Sequence, residues 1–245
     1  MRVGISLKDA TQDIGFRGIG IWAGVAGADS LRVATKNASD PNEYELVVDC
    51  AKLRTFFRSD NARTKPLIEA LNECAGFRRR AMNRAPGTEV TLEGIIEPFK
   101  PLLDSDAVRA YLTRECPVSF EKGFTYADTV NRFLRKNVPG YRSVRVLLDG
   151  TPVRGLHVEA RTQQPILGTI DSPGAKTKSS LARYWMCHPK AVGRPEEGYD
   201  RGLRIRVRNF VVVQPESLRA ILEQRGLKSL HLYNYWVGEI HATHP

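Results

Sequence analysis

Three glycines fall within six residues at Gly15-Phe-Arg-Gly18-Ile-Gly20, and they constrain the chain around them more than any other feature. Without a Cβ the backbone there can turn tightly and bring its N–H groups close to another group. The apolar segment 21–27 that follows is expected to be a short helix, and 31–35, with alternating apolar residues, a strand. Such a loop binds phosphate when its amides face an anion. With no ligand it is simply a tight loop–helix junction, and the glycines alone leave both readings open. Two other phosphate-binding patterns do not apply. A dinucleotide fold needs a strand running straight into the glycines, whereas polar residues separate Val3-Gly-Ile5 from Gly15. A Walker loop needs GxxxxGK[ST], and Gly168…Gly174-Ala-Lys176-Thr177 has the wrong spacing.

Further along, 43–48 reads as a strand paired with 31–35 through a hairpin at 37–42. Residues 64–77 read as a helix with Pro66 in its first turn, ended by Gly76 and the Arg78–Arg80 run. A strand after Gly87-Thr88 should turn Val90 and Leu92 inward. A helix capped by Asp104 or Ser105 should bury Val108, Tyr111 and Leu112 and stop before Pro117. A second helix is expected over 126–136. From there strands dominate, at 143–148, 153–160, 168–170, 203–213 and 232–241, interrupted by one helix at 215–225 with Gly226 as its stop. The stretch 163–198, rich in Gly, Pro, Lys and Ser, is expected to hold the least ordered loops. Two α/β units emerge, 1–122 and 123–245, joined between Pro117 and Pro139.

Composition narrows the function classes. A chain that is 42% hydrophobic and 26% charged is neither disordered nor fibrous. No apolar run approaches the roughly 20 residues of a membrane span, and the start lacks signal-peptide character. Cys50, Cys74, Cys116 and Cys187 are scattered with no CxxC pair, which suits a reducing cytoplasm. A net charge of +10 can attract polyanions, although no nucleic-acid-binding motif accompanies it.

The blocks Gly4-Ile-Ser6-Leu-Lys8, Asp13-Ile-Gly15-Phe-Arg-Gly18-Ile-Gly20 and Val25-Ala-Gly-Ala-Asp29-Ser-Leu-Arg-Val33-Ala-Thr35-Lys36 together resemble one segment of the Bergerat-fold (GHKL) ATPases. That superfamily holds the heat-shock protein 90 chaperones, gyrase B, MutL, the MORC proteins and histidine kinases, and the heat-shock protein 90-like branch is the most similar. Gly87-Thr88-Glu-Val90 resembles its later Gly-Thr motif. Arg201–Phe210 and Tyr235-Trp236-Val-Gly238-Glu239-Ile240 resemble strands of its middle, or transducer, domain. The resemblance implies an α+β chain: a partial ATPase domain, itself an α/β sandwich, followed by a partial middle domain. It implies ATP as cofactor, with Gly15, Arg17, Gly18, Ile19 and Gly20 around the triphosphate and Mg2+ alongside. Ser6 and Lys8 map onto the lid, Lys8 as a point charge near the outer phosphates, although it also reads as a solvated loop lysine. Thr88 would lie under the adenine; alone it is a β-favouring residue opening a strand.

The superfamily's Glu-x-x-x-Asn helix, which supplies the general base and a Mg2+ ligand, and its Asp-x-Gly-x-Gly adenine turn have no counterpart in this sequence. Since phosphoryl transfer depends on such positioned groups, a truncated piece without independent turnover is expected, its sheet face uncovered and its solubility partner-dependent. Lys176 or Lys178 could stand for a transducer lysine, or be solvated loop residues. His241 and His244, three apart on a strand, point to opposite faces and do not suit one metal ion. The stripe Arg204, Arg206, Arg208 is expected on the solvent face of a sheet, with a phosphate-backbone surface as the alternative. Three functions stay open: an ATP-driven clamp acting on client proteins, dimeric when complete; a nucleic-acid-linked ATPase of the MORC or MutL kind; and a dead fragment that binds partners.

Overall fold

In the computed structural model of this 245-residue chain, residues 21–59, 65–155, 163–172, 180–188, 200–207, 209–227 and 235–243 are described. They fall into two compact units that divide at Asp104/Ser105. The division precedes the junction expected near residue 122, because the helix at 105–115 packs on strands of the second unit.

In the first unit β1 (Ser30–Lys36) and β2 (Asn42–Asp49) form the expected hairpin. β3 (Ala75–Ala81) adds to β2 and β4 (Gly87–Glu93) to β1, giving an antiparallel sheet of order β3-β2-β1-β4. Strand alternation sends Leu31 and Val48 to one face, where α1 (Ile21–Gly27), α2 (Cys50–Arg58) and α3 (Leu67–Cys74) contribute Val25, Cys50, Leu53, Ala70 and Cys74 to the core. Full burial of a side chain such as Leu53 contributes about 1.5–3 kcal/mol. α2 was not expected. It starts because Asp49 Oδ1 accepts the Lys52 backbone N–H at 2.8 Å, which satisfies one of the open donors of a first turn.

The opposite face is charged. Glu43 and Glu45 are buried beneath arginines: Arg80 Nη2 lies 2.9 Å from Glu43, Arg32 Nε lies 3.0 Å from Glu45, and Arg84 also pairs with Glu43. This network explains one departure from expectation. The helix expected over 64–77 ends at Cys74, and the Gly76–Arg80 stretch read as its stop is β3. In register, Arg78 stands opposite Glu45 and Arg80 opposite Glu43, and opposite charges facing across strands stabilise the pairing. A second departure is Val90, 60% exposed instead of inward. β4 is an edge strand, and only Leu92 packs against the core, close under Gly24 of α1.

The second unit is built on a five-stranded sheet of order β10-β9-β11-β8-β7. Its strands are β7 (Ile166–Asp171), β8 (Ser180–Cys187), β9 (Gly202–Val207), β10 (Phe210–Val213) and β11 (Val237–Ala242), antiparallel except for β9 with β11. β8 lies in the stretch expected to be loop, yet it carries Trp185 and Cys187 into the core. The strand expected over 203–213 is broken in two at Asn209, whose φ of 72° is left-handed and cannot continue a strand. α4 (Ser105–Glu115) exposes Tyr111 and buries Thr113, so its inward stripe is rotated from the one expected. α5 (Ala127–Asn137) lays Val130 and Leu134 over Phe120, Phe124 and Trp185, three rings whose centroids are 5.4–5.7 Å apart. Such spacing is the range in which aromatic pairs attract beyond their buried area. β5 (Val146–Leu148) and β6 (Thr151–Val153) form a small hairpin whose turn, Asp149-Gly150, has φ of 50° and 76°, the paired positive values a two-residue turn requires. α6 (Pro215–Gln224) begins with proline in its first turn and is followed by Gly226 at φ 82°. The fold is α+β on mainly antiparallel sheets. Among the described residues no helix is long and apolar enough to cross a membrane.

Candidate functional site

Of the residues assigned to the nucleotide, Ser6, Lys8, Gly15, Arg17, Gly18, Ile19 and Gly20 lie outside the described residues. So do His244, Lys176, Lys178 and the side chain of Arg208. Thr88 is described. It opens β4, exposed, with its hydroxyl oxygen 3.0 Å from that of Thr35 on β1. Antiparallel register places the Gly87-Thr88 pair directly beside Thr35-Lys36, bringing together two segments 53 positions apart in the chain.

An open cleft of about 910 Å³ lies at this end of the sheet, lined by Thr35, Lys36, Asn37, Asp40, Tyr44 and Arg79 among others. Lys36 Nζ donates to the Asp40 carbonyl at 2.6 Å, so its charge is held against the turn. Asp40 accepts from the Asn42 backbone N–H, the Tyr44 hydroxyl and the Asn42 amide, each at 2.8 Å. Those bonds, the backbone one first, lower its pKa to about 2. Arg79 stands 5.8 Å from the centre of the Tyr44 ring, within cation–π reach. Chemically the cleft offers the Thr35 hydroxyl, which can donate and accept, a fixed ammonium and an aromatic face, while Thr88 touches Thr35 from outside the lining. These groups suit a polar heterocycle or its substituents. Among the described residues no group of three His, Cys, Asp or Glu side chains could hold a metal ion.

The second unit contains a buried string of charged side chains. Arg204 and Arg206, expected on the solvent face, point inward and are 2% and 5% exposed. The reason is counter-charge: Arg206 Nε donates to Glu239 Oε1 at 2.6 Å, and Arg204 pairs with Asp200. A buried guanidinium is tolerable only with such a partner. Glu239 Oε2 also accepts Trp185 Nε1–H at 3.1 Å and meets His241 Nε2 at 3.2 Å. Burial pushes the Glu239 pKa up, but the Arg206 charge and the His241 bond outweigh it and hold the carboxyl well below the usual range. An ionised carboxylate only accepts, so His241 carries its proton on Nε2. His241 and Glu239 are buried, which closes them to any solute and makes the string architectural. The signal was in the sequence: the Arg204/Arg206 alternation is matched by that of Glu239/His241 on the strand beside it.

A cleft of about 770 Å³ opens on the same unit, lined by α4, the Glu121–Lys122 turn and β6. Its lining includes Arg109, Arg114, Lys122, Arg154 and Asp200, none of which the sequence singled out.

No protein-family model matches the chain, and no curated protein is similar to it in sequence. Among solved structures, the ATPase region of topoisomerase II from Saccharomyces cerevisiae aligns with 98% of this chain at 10% identity and a TM-score of 0.41. The chain spans 57% of the length of that structure. A superposition this loose decides neither fold family nor function.

Proposed function

We propose that the first unit is the later part of an ATP-binding domain of the GHKL class, most similar to the heat-shock protein 90-like branch. The reading rests on the glycine box and its flanking motifs. One observation supports it most: the Thr35-Lys36 end of the strand that follows the glycine box and the Gly87-Thr88 motif, both quoted for that resemblance, stand on adjacent strands with their hydroxyls in contact. In this reading the backbone amides of Gly15, Gly18 and Gly20 grip the phosphates, Arg17 and Ile19 shape the loop, and Ser6 and Lys8 belong to a lid. Thr88 hydrogen-bonds beneath the adenine, and Mg2+ accompanies the phosphates through ligands other than the described residues. The second unit is a middle domain that responds when nucleotide is bound, with client proteins as the partners and a dimer as the working form.

Photolabelling of the chain with 8-azido-ATP tests this. Labelling that ATP competes away and that Gly18→Val abolishes is the expected outcome. No competable labelling, or equal labelling of the Gly18→Val variant, would sink it. A nucleic-acid-linked ATPase gains no support from the arginine stripe, since Arg204 and Arg206 are buried.

A further inference from the structure

The 770 Å³ cleft of the second unit has the size of a site for a small organic ligand, and its lining carries four cations, Arg109, Arg114, Lys122 and Arg154, against three carboxylates, Asp106, Glu121 and Asp200. Arg109 comes from α4, Lys122 from the turn after Phe120, and Arg154 from the end of β6. Three elements distant in sequence thus aim cations at one space. Among the described residues none of these three side chains makes an ion pair or a side-chain hydrogen bond. Arg204 reinforces them from behind. It is 2% exposed and pairs with Asp200, which lines the cleft, while its Nε and Nη1 have no partner among the described residues. The positive charge of Arg204 therefore offsets the Asp200 carboxylate, and the wall as a whole presents more cation than anion.

We propose that this cleft binds a diphosphate-bearing small molecule through Arg109, Lys122 and Arg154. Two guanidinium forks on separate elements can each take the oxygens of one phosphoryl group, and a lysine adds a point charge. A single carboxylate would satisfy one fork and leave the others unpaired. The volume beyond the cations leaves room for an organic group attached to the diphosphate. The site does not depend on the ATP reading.

The test is isothermal titration of the full chain with pyrophosphate and, separately, with inorganic phosphate at physiological ionic strength. Pyrophosphate is expected to bind saturably at one site and more tightly than phosphate. Arg109→Gln and Arg154→Gln should each weaken it at least tenfold. Arg219→Gln, which removes an exposed helix arginine paired with Glu223, should leave it unchanged. Lys122→Gln, at an exposed turn position, guards against variants that fold poorly, and it too should weaken binding. Absence of saturable binding to the parent chain overturns the proposal. So does binding that Gly18→Val removes while the cleft variants retain it, an outcome that would leave the ATP reading in place.

Discussion

Arg206 Nε and Glu239 Oε1 meet at 2.6 Å on adjacent parallel strands, both side chains almost wholly shielded from water. Each charge there is acceptable only because of the other. Replacing Glu239 with Gln keeps the shape and removes the charge. Glu239→Gln is expected to destabilise the second unit by about 3–5 kcal/mol. Urea unfolding followed by tryptophan fluorescence would read it, since Trp185 Nε1 donates to the same carboxylate. A loss near zero would show the pair to be dispensable.

The depressed pKa of Glu239 sets the sign of an acid limb. Its folded value lies below the unfolded one of 4.5, so the stabilisation is complete above the unfolded value and drains away as pH falls. Melting temperature should therefore drop below pH ~4.5, and the drop should be shallower in Glu239→Gln.

Asp40 gives a narrower version of the same effect. With a pKa lowered from 3.8 to about 2 by bonds within the β1–β2 turn, it favours the hairpin above about pH 4 and loses that effect toward pH 2. Removing all three acceptor contacts, Asp40→Ala should loosen the turn at neutral pH and speed hydrogen exchange at Asn42. Unchanged exchange would contradict the reading.

Leu53 is fully buried in the first unit, on the helix the sequence did not disclose. Leu53→Ala should cost about 2–5 kcal/mol by lost transfer energy and a residual cavity. Calorimetry that resolves the two units should show the shift in the first and not in the second.

Thr88→Val and Thr35→Val keep size and remove one hydroxyl each from the 3.0 Å contact. If that pair serves the nucleotide, each variant should weaken ATP binding roughly tenfold, the scale of about 1.4 kcal/mol for one hydrogen bond. Both should leave the melting temperature within a degree or two, because the site is exposed. Equal affinity in both variants would remove Thr88 from the proposed site.

Elements whose stability is local were legible in the sequence. α1, β1, β2 and α6 announce themselves by periodicity, proline and glycine, and α5 matches the helix expected over 126–136. α2 was missed although its cap, Asp49, was in view. Cys50, Leu53 and Phe56, spaced three apart, mark an apolar face on it that short segments readily hide. β3 was misread because Arg78 and Arg80 look like a helix end until Glu45 and Glu43 are placed opposite them. β8 hid because its buried Ala182, Trp185 and Cys187 do not keep strict alternation. Arg204 and Arg206 were sent outward by a rule about charge that holds only when no counter-charge waits inside. Of the candidate site, only Thr88 and its neighbours could be placed, and the cationic cleft depended on three elements that no local pattern connects.

The order β10-β9-β11-β8-β7 has a consequence for biosynthesis. β11 is the last of these strands to be made, yet it occupies the middle of the sheet. Until residues 237–242 leave the ribosome, β8 and β9 have no mutual partner, and each offers an open edge to neighbouring chains. The nascent second unit must therefore wait, unsealed, for a strand synthesised some 30 positions after β9.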